Sequence, residues 1–221
     1  MKDSSLIQLV EDPFFLIAEI GNNHQGKIEL AEQMVKAASE AGAHAVKFQK
    51  RDNKNLYSSK LASEPYNNPN SFGKTYLEHR ENVELSIEEL RNLKELAESL
   101  NLIFFATPFD NNSAVQLREI SPSLYKISSA DFHNYPLIDF LLEDNKPLIV
   151  STGGTTYEDL DWFYSKYQNF DITLLHCTAS YPAPLDTMNL NTIPIMAERY
   201  PKFHVGLSDH ENGIDAAQIA Y

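Results

Sequence analysis

The sequence has 221 residues, 43% of them hydrophobic and 22% charged, an ordinary globular mix that excludes a disordered tail and a collagen-like fibre. Lys and Arg number 18 against 31 Asp and Glu, a net charge of −13; so acidic a surface repels nucleic-acid phosphates and anionic lipid, and neither is an expected partner. No apolar run approaches the ~18 residues needed to span a bilayer, the opening MKDSSLIQLVED has neither the basic start nor the apolar stretch of a secretion signal, and the lone Cys177 excludes a disulfide framework or a cysteine zinc cage. These exclusions make a cytoplasmic address the default expectation.

Short apolar runs alternate with longer amphipathic stretches. FFLIAEI (14–20) is followed by a helical pattern from Leu30 to Ala41, with Leu30, Met34, Ala37, Ala38 and Ala41 on its expected inner face. AVKFQ (45–49) comes next, then a long interval to Ser86. Ser86–Leu100 opens with Ser86 and Glu89 in capping-box spacing. LIFFAT (102–107), LYKISS (124–129), PLIVST (147–152), ITLLHC (172–177) and FHVGLS (203–208) complete the strands. Helices are expected at Ser113–Ile120, Tyr135–Leu142, Tyr157–Tyr167, Met188–Arg199 and Ile214–Tyr221. The runs are continuous rather than alternating, as strands buried on both faces require.

Seven strand–helix steps predict a parallel sheet with right-handed crossovers. A TIM (β/α)8 barrel needs eight such units over typically ~250 residues. The expected fold is therefore an α/β barrel truncated after its seventh βα unit, with residues 1–13 an N-terminal extension and 14–221 the partial barrel. A doubly wound open sheet is the rival topology. The interval from Gln49 to Ser86, rich in Asn, Ser and Lys, is too long for a plain connection and reads as a functional loop.

Barrel chemistry sits at the C-terminal ends of the strands. Those ends carry Glu19, Lys47, Gln49, Thr107, Lys126, Ser128, Ser129, Ser151, His176, Tyr181, Ser208 and His210. Lys47 and Lys126 lie within apolar runs, where an unpaired ammonium is costly. Three explanations are open: a salt bridge with Glu19 or a neighbour, a clamp on an anionic substrate, or a Schiff-base lysine. Ser151-Thr152-Gly153-Gly154 between strand and helix suits phosphate capture by hydroxyls and backbone N–H groups, but is also an ordinary βα turn. His210 in GLSDHENG binds a metal only with a partner ligand. Cys177 reads as core packing, with nothing near it in the sequence to lower its pKa.

The stretches AEIGNNHQG, VKFQK, NSFGKTYLEHR, TPFD, YKISSAD, STGG, HCTASYP and GLSDHENG, in this order from Phe15 onward, resemble the sialic acid synthase family, the synthases of nonulosonic acids. The resemblance implies a TIM barrel followed by a small antifreeze-like domain that swaps across a homodimer. It implies condensation of phosphoenolpyruvate with an N-acetylated hexosamine, usually N-acetylmannosamine, with manganese or magnesium required. Carried over by motif, Lys47, Lys126, Ser129, Ser151 and Ser208 match the phosphoenolpyruvate cradle and Glu19 the acid/base carboxylate. Gln49, Asn70, Thr107 and Tyr181 match sugar-side contacts. His210 matches one of two metal-binding histidines, with a catalytic role through that metal; the other lies on the eighth strand. Two other functions stay open: a Schiff-base aldolase or lyase acting on pyruvate-like substrates, and a non-catalytic truncated barrel.

Overall fold

The computed structural model describes residues 15–220 and divides into two compact units, 15–123 and 124–220. The N-terminal unit is a parallel sheet of β1 (Ile17–Gly21), β2 (Ala45–Lys50) and β3 (Ile103–Pro108), paired in chain order. Helix α1 (Ile28–Glu40) joins β1 to β2. The long connection from β2 to β3 holds α2 (Asn53–Leu56), α3 (Ser59–Ser63), α4 (Tyr76–Asn82) and α5 (Ile87–Ser99), and α6 (Asn111–Ile120) follows β3.

The core forms where the apolar runs meet the helix stripes. Val46, Phe48, Phe104 and Phe105 are fully buried, and Phe48 stacks on Phe104 with centroids 5.5 Å apart. Helix α5 starts at the predicted capping box: Ser86 Oγ accepts from the Glu89 N–H, and Glu89 bonds back to the Ser86 N–H. It buries Leu90, Leu93 and Ala97; each leucine contributes roughly 1.5–3 kcal/mol on leaving water. Helix α1 buries Ala31, Val35 and Ala38, so its inner face is turned by about one residue from the expected stripe. Ala37 and Ala41 face solvent. Small alanines fit either face, and the bulkier Val35 settles which one packs.

The interval after β2 is more ordered than its composition suggests. Besides α2 to α4 it contains an antiparallel bridge between Pro65 and Thr75. Its aromatic residues stack on one another, Tyr66 on His79 at 4.5 Å and edge-on to Tyr76 at 5.5 Å. At its base the Glu84 carboxylate accepts from Lys50 Nζ at 3.0 Å and from the Arg51 N–H at 2.9 Å.

The C-terminal unit is a parallel sheet of β4 (Tyr125–Ile127), β5 (Leu148–Ser151), β6 (Ile172–Cys177) and β7 (His204–Ser208), again in chain order. Helices α7 (Tyr135–Leu142), α8 (Tyr157–Tyr167), α9 (Thr192–Arg199) and α10 (Asp215–Ala220) follow the strands in turn. Thr156 and Asp159 cap α8 reciprocally. Helix α9 begins four residues later than its apolar pattern predicts, because Asn189 adopts φ +48°, which a right-handed helix cannot include. Met188 instead buries itself in a small cluster with Ala183 and Ala216.

Within each unit the strand order is sequential, with no reversal point. That is the winding of a barrel wall, whereas a doubly wound sheet reverses direction at its ligand crevice.

Candidate functional site

The N-terminal unit carries one half of the predicted residues. Lys47 on β2 is only 8% exposed. Its Nζ lies 2.7 Å from Glu19 Oε2 and donates to Thr107 Oγ1 at 2.9 Å. The register explains the meeting: Glu19 pairs with Lys47 across β1 and β2, and Gln49 with Thr107 across β2 and β3. Residues two apart on a strand share a face, so Lys47 and Gln49 point the same way. The salt bridge anticipated as the plain explanation of Lys47 is thus present. It is lopsided, because the Glu19 side chain is 49% exposed and that of Lys47 only 11%.

Gly21 makes this corner possible. The β1–β2 register slips between Glu19 and Gly21, and Gly21 has φ +54°. A Cβ there would stand 3.0 Å from Glu19 Oε1 and 3.3 Å from Gln49 Nε2. A bulge of this kind re-aims the residues beside it. Asn70 is not brought to this corner: it sits on an exposed turn of the long loop, where its N–H donates to Asn68 Oδ1 at 2.9 Å.

The C-terminal unit carries the other half. Lys126 on β4, 5% exposed, donates to Ser151 Oγ at 2.5 Å and to the Ile127 carbonyl at 2.7 Å. Ser129 Oγ accepts from the Gly153 N–H at 3.0 Å. A Cβ on Gly153 would come within 2.9 Å of that oxygen and 3.2 Å of the Cys177 carbonyl. The phosphate-nest expectation for residues 151–154 is narrowed: the Thr152 N–H and hydroxyl both go to the Leu175 carbonyl and the Gly153 N–H goes to Ser129 Oγ, so neither Thr152 nor the Gly153 amide is open to an anion as the turn stands.

His210 follows β7. Its Nδ1 is 2.8 Å from the Thr178 carbonyl; a carbonyl only accepts, so Nδ1 carries the proton and Nε2 carries the lone pair, with Cys177 Sγ 3.9 Å from it. The Tyr181 ring, 80% exposed, stacks on His210 with centroids 4.0 Å apart. Cys177 Sγ lies 3.8 Å from His210 Nδ1, and Ser208 is its direct partner across β6 and β7. The expectation that nothing acts on Cys177 is overturned. Burial pushes its thiol pKa up, but hydrogen bonds with His210, Ser129 and Ser208 outweigh that and bring it below the ordinary value. The contact with Cys177 raises the His210 pKa in turn, against burial.

The one-imidazole donor set fits part of a divalent-cation site. Among the described residues no group of three His, Cys, Asp or Glu converges. Sequence reasoning missed Gly21 and Gly153 as spacers and Cys177 as a neighbour of the site. Only the two glycines left a trace, as small residues closing apolar runs.

Parallel βα units with buried lysines and hydroxyls at their C-terminal strand ends define an α/β protein of the TIM-barrel type. Comparison with known proteins narrows this. A profile of the NeuB family matches residues 34–221. Human N-acetylneuraminate-9-phosphate synthase is 33% identical over 206 residues, covering 92% of this chain and 57% of that protein. N,N'-diacetyllegionaminic acid synthase of Campylobacter jejuni is 34% identical, covering 93% of this chain and 63% of that protein. Among solved structures, the sialic acid synthetase of Leptospira borgpetersenii superposes with a TM-score of 0.80 at 31% identity, covering 93% of this chain and 68% of that one. A 3-deoxy-D-arabino-heptulosonate 7-phosphate synthase of Thermotoga maritima, at 14% identity and a TM-score of 0.63, shares the fold. The chain belongs to the NeuB family. It spans less than two thirds of the length of the curated relatives named here.

Proposed function

We propose that this chain carries the phosphoenolpyruvate-handling and acceptor-handling strands of a nonulosonic acid synthase. The reaction joins phosphoenolpyruvate to an N-acetylated hexosamine and yields a nine-carbon sugar acid and phosphate. The observation that supports it best is the pair of buried lysines at C-terminal strand ends, Lys47 and Lys126, each with a hydroxyl in its first hydrogen-bonding shell. Phosphoenolpyruvate is strongly anionic near neutral pH, and in a chain of net charge −13 only local cations hold it.

Lys47, Lys126, Ser129, Ser151 and Ser208 bind the phosphate and carboxylate. Gln49, Thr107 and Tyr181 orient the acceptor; Asn70, on its exposed turn, is left without a role. The methylene carbon of phosphoenolpyruvate forms a bond to the aldehyde carbon of the open-chain sugar; the aldehyde π pair moves to its oxygen, which takes a proton and becomes a hydroxyl, while positive charge develops at the enol carbon. Water adds there and gives its proton to Glu19. The tetrahedral adduct then breaks the bond between that carbon and the phosphate oxygen, phosphate departs with the bonding pair, and the remaining hydroxyl loses its proton to leave a ketone. A divalent metal, manganese or magnesium, when held by His210 and a further ligand, supplies Lewis-acid polarisation of the aldehyde.

Lys47 paired with a carboxylate at 2.7 Å is an ammonium, whereas a Schiff-base nucleophile must be a neutral amine. This argues against an aldolase that acts through Lys47. We further infer that the full-length protein is a homodimer and that it works in the cytoplasm. Among the described residues no helix is long and apolar enough to cross a membrane. The N-terminal extension expected at 1–13 lies outside the described residues. The test is phosphate release from phosphoenolpyruvate by the natural gene product with manganese and a panel of N-acetylated hexosamines. Release that requires both substrates supports the synthase; borohydride trapping of pyruvate on either lysine supports the aldolase.

A further inference from the structure

His210 stands two residues past the end of β7 and is half-buried. Four groups from the end of β6 and the few residues after it close around it. The Thr178 carbonyl accepts the Nδ1 proton at 2.8 Å. Cys177 Sγ lies 3.8 Å from Nδ1 and 3.9 Å from Nε2. The Tyr181 ring stacks on the imidazole, with centroids 4.0 Å apart and planes 30° from parallel. The Ala183 N–H donates to the His210 carbonyl at 2.8 Å. One stretch of chain, 177–183, therefore holds both the backbone and the ring of this histidine.

An imidazole past a strand end does not fix its own ring plane, because the torsion at a terminal sp² group is broad and roughly two-fold. The bond to Thr178 selects the protonated nitrogen, but one hydrogen bond leaves the ring free to tilt about it. A second ring stacked on the first removes that tilt, since aromatic pairs attract beyond the area they bury. Core burial does not explain why Tyr181 lies there: it is 80% exposed, so its contribution to the fold is small. An imidazole that bonds a cation through Nε2 also gains positive character, and the electron-rich face of a tyrosine attracts positive charge. Orientation and electrostatics therefore act in the same direction, toward a bound metal.

We propose that the ring of Tyr181 is a positioning group for His210, holding the imidazole at the angle at which Nε2 meets a divalent cation, and that this duty is separate from the contact of its hydroxyl with the acceptor. The inference rests on reading His210 as a metal ligand. Tyr181→Phe and Tyr181→Leu test it in the natural gene product, with manganese as the probe and no substrate present. Phenylalanine keeps the ring and drops the hydroxyl; leucine drops both. In calorimetric titration Tyr181→Leu is expected to show a manganese Kd about tenfold above the parent's, the low end of the cost of losing a group that orients a metal-binding histidine. Tyr181→Phe stays within about twofold of the parent, because the stacked face survives. The Tm of metal-free Tyr181→Leu stays within about 2 °C of the parent's, as for other exposed side chains. An unchanged manganese Kd in Tyr181→Leu overturns the proposal. So does an equal loss in Tyr181→Phe, which assigns the effect to the hydroxyl, or a large fall in the Tm of Tyr181→Leu, which makes the residue part of the fold. A parent protein that takes up no manganese overturns it together with the metal reading of His210. A parent that binds manganese yet releases no phosphate strikes the synthase reading alone, and the two variants still decide the role of the ring.

Discussion

Lys47→Met separates a structural ion pair from a substrate clamp. Breaking a fully buried pair typically costs about 3–5 kcal/mol, because the surviving charge stays stranded in the interior. Here the survivor is Glu19, whose side chain is 49% exposed, so water re-solvates it. Methionine fills most of the volume of the lysine stem and removes the desolvation cost of an ammonium on a residue 8% exposed. The net loss of stability is expected to stay under about 1 kcal/mol, which for a chain of this length is a Tm shift of at most about 2–4 °C. Binding behaves differently. Losing charge-assisted hydrogen bonds to phosphoenolpyruvate costs about 1.5–3 kcal/mol, roughly a 10- to 150-fold weaker Kd. Thermal unfolding and calorimetric titration on one preparation give both quantities. A large fall in Tm with phosphoenolpyruvate affinity unchanged would refute the reasoning and leave Lys47 a structural cation.

Three other outcomes follow from the same geometry. Glu19→Gln keeps the volume and the Lys47 contact but cannot take a proton, so phosphoenolpyruvate still binds while turnover falls roughly 10²- to 10⁴-fold; normal turnover removes Glu19 from the mechanism. Gly153→Ala puts a carbon 2.9 Å from Ser129 Oγ without needing a forbidden backbone angle, and is expected to cost about 1–3 kcal/mol as overpacking and to raise KM for phosphoenolpyruvate, whereas an unchanged KM shows that the Ser129 hydroxyl does not touch that substrate. His24 is 2% exposed, accepts at Nδ1 from the Gly26 N–H at 3.1 Å, and has its pKa lowered by burial. A histidine with a depressed folded pKa contributes stability that is intact above its unfolded value near 6.5 and lost as pH falls through the folded value. Between pH 7.5 and 5 the Tm should therefore drop less in His24→Asn than in the parent, and parallel slopes in the two would exclude His24 as the cause.

The elements that sequence reading placed well are those with local causes. Strand β6 and helices α7 and α8 fall at their expected limits, because apolar runs, Pro136 and the Thr156 cap act over a few residues. Contiguous polar residues at strand ends likewise made Glu19, Lys47, Thr107 and Ser151 visible as candidates. What escaped depends on partners distant in the chain. The alanines of α1 carry no preference until β-strands are packed against them. The Gly153 amide looked open to a phosphate until Ser129, 24 residues earlier, was seen to occupy it. Cys177 meets His210 from 33 residues away, and no spacing rule announces that contact. The order within the loop after β2 comes from stacked tyrosines and histidine, whose spacing follows no helical or strand period.

The carboxylate of Glu84 fastens both ends of that loop, since it grips Lys50 and Arg51 where the segment leaves the sheet and itself stands where the segment returns. A stretch tied off in this way behaves as an exchangeable cassette. Lengthening it adds only a logarithmic entropic cost, and rewriting it leaves the strand ladder alone. On the proposed synthase reading, a change of acceptor sugar is then confined to this segment, while the strand-end lysines, hydroxyls and carboxylate stay where the strands put them.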